Sequence, residues 1–244
     1  MTEPAPRKSD LGVRVVSAVV MVSVAGTALW LGGDWWTAFV VVVALVCLGE
    51  FLRLIFMATS NPVVRFFSCV GAVFYVSLSA FTLAEEPYSW TDDVGGRLGL
   101  VSVLFVVGVV VCTDIGAYFV GRTVGGPKIA PQISPSKTWA GLFGGMVAAA
   151  VWSLISLKML LVAGKMELLV EGFALAKILV WAAASGAILA VVAQSGDFFE
   201  SWLKRRAGVK DSSNLIPGHG GIFDRIDGLL PVVLVSAIFH VRPF

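Results

Sequence analysis

Long apolar runs, separated by short polar connections, make up most of the chain. Seven of these runs approach or exceed the roughly 20 apolar residues that a helix needs to cross about 30 Å of hydrocarbon. No alternation of apolar and polar positions typical of β-strands competes with them. The pattern predicts an all-α, polytopic integral membrane protein with about seven transmembrane helices, at approximately residues 13–32, 35–57, 63–84, 98–121, 139–161, 173–195 and 222–241.

The composition agrees with a membrane protein. Of the 244 residues, 57% are hydrophobic and 14% are charged, whereas soluble domains carry roughly 25% charged residues. The net charge of +2 is spread between apolar runs and forms no patch for nucleic acid. Cys47, Cys69 and Cys112 have neither disulfide nor zinc-ligand spacing, which favours a packing role for all three.

The first apolar run follows basic residues and contains a stretch of small ones, so a cleaved signal peptide is one interpretation. The run extends to Trp30, however, which is longer than a usual signal core. The length favours a retained first helix.

Lys and Arg accumulate in alternate connections. Cytoplasmic connections of membrane proteins carry such an excess, so we predict a cytoplasmic N-terminus. Both long polar connections, 121–138 and 196–221, then face the cytosol, and so does an active site built from them. The basic set is Arg7, Lys8, Arg14, Arg53, Arg65, Arg122, Lys128, Lys137, Lys204, Arg205, Arg206 and Lys210, and the opposite set is Asp34, Glu85, Glu86, Asp92, Asp93, Lys165, Glu167 and Glu171.

The second long connection carries acidic and basic groups at helical spacing. Asp197, Glu200, Ser201 and Lys204 share one face if the sixth helix continues beyond residue 195. Hard cations such as Mg²⁺ prefer one or two carboxylates together with substrate phosphates. A second pair of carboxylates, Asp224 and Asp227, follows at i and i+3 with Arg225 beside it. The alternative is that these acids are helix caps or ion-pair partners.

A glycine turn at residues 217–221 lies between the two acidic groups. Its Gly220 and Gly221 would let backbone N–H groups approach an anion without side-chain obstruction. Phosphoryl-type transfer requires mainly positioning and charge neutralisation, which the neighbouring basic residues could supply to a polyphosphate: Lys204, Arg205, Lys210 and Arg225. His219 is alternatively a simple turn residue, and Arg206 a topology determinant.

The first long connection offers weaker signals. Asp114, Tyr118 and Arg122 form a polar stripe on an apolar helix, which indicates either a protein-lined cavity or a tie between helices. Ser134, Lys137 and Thr138 open the fifth run, where helix N–H groups attract anions. Glu50 and Arg53 are spaced i, i+3, which favours an internal ion pair.

These residues together resemble the phosphatidate cytidylyltransferases, or CDP-diacylglycerol synthases. The similarity rests on Ser201-Trp-Leu-Lys204-Arg205, Lys210-Asp211, Ile216-Pro-Gly-His219-Gly220-Gly221 and Asp224-Arg225-Ile-Asp227. Upstream, Gln194-x-Gly-Asp197, Asp114 through Arg122, and Ser134-Pro with Lys137-Thr138-Trp139 resemble the same family. Ser136 and Ala140 depart from the family pattern, which has Lys and Glu there, and this puts one substrate contact in question.

The resemblance implies a reaction and the parts for it. CTP and phosphatidic acid would give CDP-diacylglycerol and pyrophosphate with Mg²⁺, to which a second metal or a monovalent cation could be added. Asp197 and Asp224 would be the principal metal ligands and Asp227 would assist, while Ser201, Lys204 and Lys210 would contact CTP phosphates around His219. The family also implies a homodimer in a bacterial-type inner (plasma) membrane. Residues 1–96 would be N-terminal membrane helices and 97–244 the catalytic membrane region.

Three rival functions remain open on sequence. An ion or solute transporter would use Asp114, although no inverted repeat is visible. A CTP-dependent enzyme could act on an ether lipid or on another lipid phosphate or alcohol. An enzyme that consumes CDP-diacylglycerol is disfavoured, because Asp227-Gly228 is followed by Leu229, Leu230 and Pro231 rather than by that family's spaced aspartates.

Overall fold

The computed structural model describes residues 11–85, 95–162 and 173–239. Within these ranges six helices are long and apolar enough to cross a membrane, which confirms the all-α polytopic class and the first six predicted runs. They are α1 (Leu11–Leu31), α2 (Gly33–Ala58), α3 (Pro62–Ala84), α4 (Gly95–Thr123), α5 (Trp139–Val162) and α6 (Phe173–Arg206). Part of the predicted charge asymmetry lies outside the described residues: Arg7, Lys8, Glu86, Asp92, Asp93, Lys165, Glu167 and Glu171.

The prediction of one helix over 222–241 is wrong for the described part of that run. Two helices, α7 (Phe223–Ile226) and α8 (Leu229–Phe239), are separated at residues 227 and 228. The Gly228 N–H donates to Asp227 Oδ1 at 2.8 Å, and a Cβ on Gly228 would lie 3.1 Å from the Ala193 carbonyl oxygen. The break therefore holds the Asp227 side chain next to α6.

Helix α6 extends well beyond its predicted end at residue 195. Its 34 residues span about 51 Å at 1.5 Å per residue, which exceeds the roughly 30 Å of hydrocarbon. The continuation confirms that Asp197, Glu200, Ser201 and Lys204 belong to one helical stretch. Its final turn carries Lys204, Arg205 and Arg206, where basic side chains complement the helix dipole.

A small hairpin lies directly before the fifth predicted helix. Strands β1 (Lys128–Ala130) and β2 (Ser134–Thr138) pair antiparallel, so Ser134, Lys137 and Thr138 lie on a strand. Helix α5 begins at Trp139, where the predicted run 139–161 begins. Thr138 Oγ1 accepts a hydrogen bond from the Gly141 N–H at 3.1 Å. This side chain caps an orphan N–H of the first turn of α5, which accounts for its burial.

Glycines bring α4 and α5 into close contact. A Cβ on Gly116 would lie 2.5 Å from the Gly144 carbonyl oxygen, and one on Gly144 would lie 2.7 Å from the Gly116 carbonyl oxygen. Small residues permit this approach of two membrane helices. The pair forms a rigid support for the hairpin that connects them.

The core around the C-terminal segment includes helices from both ends of the chain. One buried cluster combines α2, α3, α6, α7 and α8, with the members Cys47, Phe51, Leu54, Ile55, Ala72, Val76, Leu203, Phe223 and Leu230. Cys47 is thus a packing residue, as predicted. The division into residues 1–96 and 97–244 stays a prediction. The two segments share this buried cluster.

Candidate active site

Three carboxylates converge where α6 meets the break between α7 and α8. One oxygen from each of Asp197, Glu200 and Asp227 lies within 4.8 Å of the others. The Glu200 side chain is 2% exposed, and its Oε1 is buried without a hydrogen-bond partner among the residues that the structure describes. A buried acceptor without a donor is costly, so this group fits a cation better than it fits a closed structural contact.

Two lysines approach the same carboxylates from different elements. Lys204 lies one turn after Glu200 on α6, and its Nζ is 2.5 Å from Glu200 Oε2 and 2.6 Å from Asp224 Oδ1. Lys137 of β2 forms an ion pair with Asp197, and its Nζ lies 4.8 Å from the centre of the Phe198 ring. The hairpin thereby reaches the acidic face of α6.

The charges around this cluster do not balance. The four carboxylates of Asp197, Glu200, Asp224 and Asp227 outnumber the ammonium groups of Lys137 and Lys204, so full ionisation leaves net negative charge that a cation can offset. Burial, and then the charge of Asp197, raises the pKa of Asp227 to about 7. Oxygen-only ligands are those that Mg²⁺ prefers. The donor set therefore fits Mg²⁺.

Asp224, by contrast, has a full set of donors. Its Oδ1 accepts from Lys204 at 2.6 Å, and its Oδ2 accepts from the Ser212 N–H at 2.8 Å, the Ser212 hydroxyl at 2.7 Å and the Gly221 N–H at 2.8 Å. Burial opposes its ionisation. Hydrogen bonding with the Glu200 carboxyl group, and then with Lys204, Gly221 and Ser212, nevertheless holds the pKa of Asp224 well below its usual value. These contacts fix the segment around it.

Glu50 of α2 performs the same task from the opposite side, and our interpretation of the sequence missed it. Its Oε1 accepts from the Ser213 hydroxyl at 2.5 Å and the Ile222 N–H at 3.2 Å. Its Oε2 accepts from the Phe223 N–H at 2.7 Å and lies 3.1 Å from the Ser212 hydroxyl. These bonds replace the predicted pair with Arg53, whose Nη1 donates to the Ser212 carbonyl at 3.5 Å. A glutamate inside an apolar run was the signal that could have identified it.

We call residues 210–224 the braced loop, because the carboxylates of Glu50 and Asp224 hold it from two sides. The Ser212 hydroxyl lies between both carboxylates and is 1% exposed as a residue. Gly221 completes the contact: a Cβ there would lie 2.5 Å from Glu50 Oε2 and would overlap the Ser212 hydroxyl. A larger residue at 221 would push the two sides apart.

The predicted glycine turn is present at the centre of the braced loop. Gly218 and Gly220 have φ angles of 76° and 83°, which L side chains rarely adopt. His219 Nδ1 lies 2.7 Å from the Ser17 hydroxyl of α1, and its carbonyl accepts from Arg225 Nε at 3.0 Å. His219 and Arg225 thus stabilise the turn itself, which is the alternative that the sequence left open for His219.

The remaining residues predicted to bind substrate differ in their exposure and in their partners. Arg205, Lys210 and Asp211 are exposed along the end of α6 and the start of the braced loop, and Ser201 is half-buried. Asp114 is close enough to Asp197 and Lys137 to interact with them electrostatically. Arg122 instead donates to the Tyr118 hydroxyl at 2.7 Å, so this contact joins two residues of α4 and is not the tie between helices that the stripe also suggested.

Comparison with known proteins adds a second line of support. The chain matches the model of a family described as the cytidylyltransferase family over residues 67–242. It is similar to the phosphatidate cytidylyltransferase of Rickettsia bellii, with 32% identity covering 92% of this chain and 88% of that protein. The phosphatidate cytidylyltransferase of Brucella suis is 29% identical, covering 95% and 93% of the two chains. That of Bacillus subtilis is 43% identical over 56% of this chain and 46% of the relative.

Proposed function

The chain belongs to the cytidylyltransferase family, and on that premise we propose that it transfers the cytidylyl group of CTP to phosphatidic acid. The products are CDP-diacylglycerol, for phospholipid biosynthesis, and pyrophosphate. The chain is accordingly a membrane-bound nucleotidyltransferase. The observation that carries the proposal is the acidic cluster of Asp197, Glu200 and Asp227, which lies beside two lysines and a glycine turn within the family-matched region.

The reaction forms one P–O bond and breaks one. A phosphate oxygen of the lipid attacks the α-phosphorus of CTP, and the bond from that phosphorus to the β-phosphate breaks as pyrophosphate leaves. Both reactants are anions, so positioning and charge neutralisation are the main requirements. Lys137 and Lys204 approach the acids from opposite elements, and we assign them to lower the repulsion between the two substrates.

We assign Mg²⁺ to the oxygens of Asp197, Glu200 and Asp227, because Glu200 Oε1 is buried there without a donor in the described residues. A bound Mg²⁺ would supply Lewis-acid stabilisation of phosphate charge. The resemblance also assigned Asp224 to the metal, and that role stays a prediction, since its oxygens already accept four hydrogen bonds. A second metal or a monovalent cation is part of the same proposal.

The exposed cations beside the acids are our candidates for the CTP phosphates. Arg205 and Lys210 are exposed and flank the half-buried Ser201 and the start of the braced loop. The turn at Gly218 and Gly220 provides backbone that side chains do not cover. Asp211, Gly221, Ser134 and Thr138 would shape the pocket around these groups, with Thr138 acting through its cap on α5.

The proposal includes the orientation of the protein. The basic end of α6 and the braced loop would face the cytosol, where CTP is dissolved, and the N-terminus would lie on the same side. Asn214 is exposed in the braced loop, so a cysteine there, with the native cysteines replaced, should react with an impermeant thiol reagent only in inside-out vesicles. Labelling of intact cells would overturn this orientation. A homodimer remains a prediction from the family, checked by the mass of the purified protein.

The deciding experiment is formation of CDP-diacylglycerol by the purified protein from CTP and phosphatidic acid, with Mg²⁺ and with a chelator. Asp197→Asn tests the cluster, and Asp34→Asn, at an exposed site in the first turn of α2, is the matched control. We expect metal-dependent product that is lost only in Asp197→Asn. Folded protein that makes no product from phosphatidic acid would overturn the proposal.

Parallel reactions separate the alternatives. Product from an ether-lipid phosphate or another lipid phosphate, and none from phosphatidic acid, would indicate a CTP-dependent enzyme of different specificity. Solute flux in liposomes without CTP would indicate a transporter. The resemblance of residues 67–242 to cytidylyltransferases favours the first of these over the second.

A further inference from the structure

A cavity of about 650 Å³ lies on the other side of α6 from the acidic cluster. Helices α2, α3 and α6 form its walls, and Pro231 of α8 closes one part of it. Most of its lining is apolar and includes Phe51, Ile55, Tyr75, Phe199, Trp202 and Leu203. Because α2, α3 and α6 are long and apolar enough to cross a membrane, the surroundings of these walls include the bilayer.

The cavity also has a cation in its lining. Arg206, at the end of α6, lines it together with Thr59 from the end of α2. The Arg206 guanidinium lies 5.1 Å from the centre of the Trp202 ring. Within the described residues it has no carboxylate within ion-pair distance. An apolar cavity with an uncompensated cation at the end of a membrane helix matches an amphiphile that carries a negative headgroup.

We propose that this cavity binds one acyl chain of an anionic phospholipid whose headgroup phosphate is held by Arg206. An apolar cavity of this kind offers water few polar partners and therefore favours hydrocarbon. The guanidinium provides several N–H donors in a planar arrangement that suits phosphate oxygens. The inference goes beyond the proposed reaction, since it concerns a lipid that is bound rather than consumed.

This lipid is distinct from the reacting one. Arg206 follows Asp197 by nine residues on α6, which is roughly 14 Å along the helix axis. A wall separates the two places: Phe51 stacks on Phe223 with ring centres 4.8 Å apart, and Gly196 packs directly against the Asp227 backbone carbonyl. A phosphate at Arg206 therefore cannot reach the acidic cluster.

The same wall connects the cavity to the braced loop. Phe51 follows Glu50 on α2, and Phe223 precedes Asp224, so both carboxylates that hold the loop are next to rings of this stack. Phe51 also packs edge-on against Phe199, at 5.8 Å between ring centres. An acyl chain in the cavity would pack against Phe51 and Phe199, which line it, and would thereby stabilise this aromatic packing.

The test measures lipid retention by the full chain, independently of any activity. Protein purified in detergent is exchanged against defined ratios of phosphatidylglycerol and phosphatidylcholine, and retained lipid and oligomeric mass are read by native mass spectrometry. Gly71→Phe fills the cavity, because Gly71 lines it and a Cβ there meets nothing within 4 Å. Gly26→Phe on α1, with equally open space, is the control, and Arg206→Gln removes the cation.

We expect the unmodified chain to retain phosphatidylglycerol in preference to phosphatidylcholine. Gly71→Phe should retain several-fold less of both lipids, and Arg206→Gln should lose the preference for the anionic lipid, while Gly26→Phe behaves as the unmodified chain does. Unchanged retention in Gly71→Phe would overturn the site, and an unchanged preference in Arg206→Gln would overturn the anionic headgroup. A Gly71→Phe variant that loses a dimer and keeps its lipid would show that a second copy fills the cavity.

Discussion

Two groups of carboxylates lie within one site, and they differ in their hydrogen-bond donors. Asp224 accepts four hydrogen bonds from Lys204, Ser212 and Gly221. Glu50 accepts three from the braced loop and lies 3.1 Å from the Ser212 hydroxyl. The group of Asp197, Glu200 and Asp227 includes a buried oxygen without a donor in the described part of the chain. The first group is complete as folded, whereas the second needs positive charge from outside the chain.

The difference indicates two tasks: Asp224 and Glu50 hold the braced loop, whereas Asp197, Glu200 and Asp227 are suited to bind a metal ion. A carboxylate saturated with N–H and O–H donors stays ionised and rigid, which suits the support of a nucleotide-binding turn. Carboxylates crowded together with too few donors repel one another, and this repulsion lowers the stability of the metal-free protein while it raises affinity for a cation. Substitutions in the two groups should therefore have opposite effects on stability.

The largest expected effect comes from Asp227→Asn. Turnover should fall by about 10²–10³-fold, the usual cost of removing one electrostatic group from an active site. The metal-free variant should nevertheless unfold at the same temperature as the unmodified chain or at a higher one, because a repelling charge is gone. Turnover and thermal unfolding in detergent test this together, and a large loss of stability would place Asp227 in the first group instead.

Gly221→Ala should disrupt the braced loop. The added Cβ would lie 2.5 Å from Glu50 Oε2 and overlap the Ser212 hydroxyl, and overpacking of this kind costs about 1–3 kcal/mol. We expect lower thermal stability and weaker CTP binding. Gly49→Ala, one residue before Glu50 and with open space around it, is the control, and equal behaviour of the two variants would contradict the close contact.

Glu50→Gln should weaken the loop without touching the acidic cluster. The amide group offers N–H donors where the loop also presents donors, and a buried unmatched donor costs about 1–3 kcal/mol. The KM for CTP should rise more than kcat falls, since the residue positions a binding segment. Glu50→Asp should restore part of the loss. A fall in kcat alone, with unchanged KM, would exclude a positioning role.

The smallest effect is a dependence of stability on pH through Asp224. Its pKa is lowered from the ordinary 3.8, so its contribution is fully present above that value and is lost as the pH falls towards the folded-state pKa. Unfolding measured between about pH 5 and pH 2 should show a steeper decline for the unmodified chain than for Asp224→Asn. Parallel curves would mean that Asp224 is not held by its donors.

Much of the fold could be predicted from the sequence, because six apolar runs alone specify membrane helices. The break at residues 227 and 228 could not, since it depends on contact between Gly228 and Ala193 of α6. The strand at Ser134 was also missed, because its partner Lys128–Ala130 is apparent only once the hairpin has formed.

For the site, local spacing was sufficient for Asp197, Glu200 and Lys204, which one helix brings together. Local spacing could not reveal that Glu50 contacts the braced loop, because its partner Ser212 lies 162 residues later in the chain. It also suggested a role for Arg122 next to Asp114, whereas Arg122 binds Tyr118. The sequence distance between partners, rather than the strength of their interaction, decided which contacts could be foreseen.

The bond between Glu50 and the braced loop has a consequence for how the protein is made. Helix α2 leaves the ribosome well before its partner, and at about 5–20 residues per second the 162-residue separation is a delay on the order of ten to thirty seconds. During that interval a carboxyl group lies in a membrane helix at a cost of about 2.5–3.5 kcal/mol. Arrival of the loop offsets this cost, so we expect the N-terminal helices to reach their full stability only once the C-terminal segment is in place.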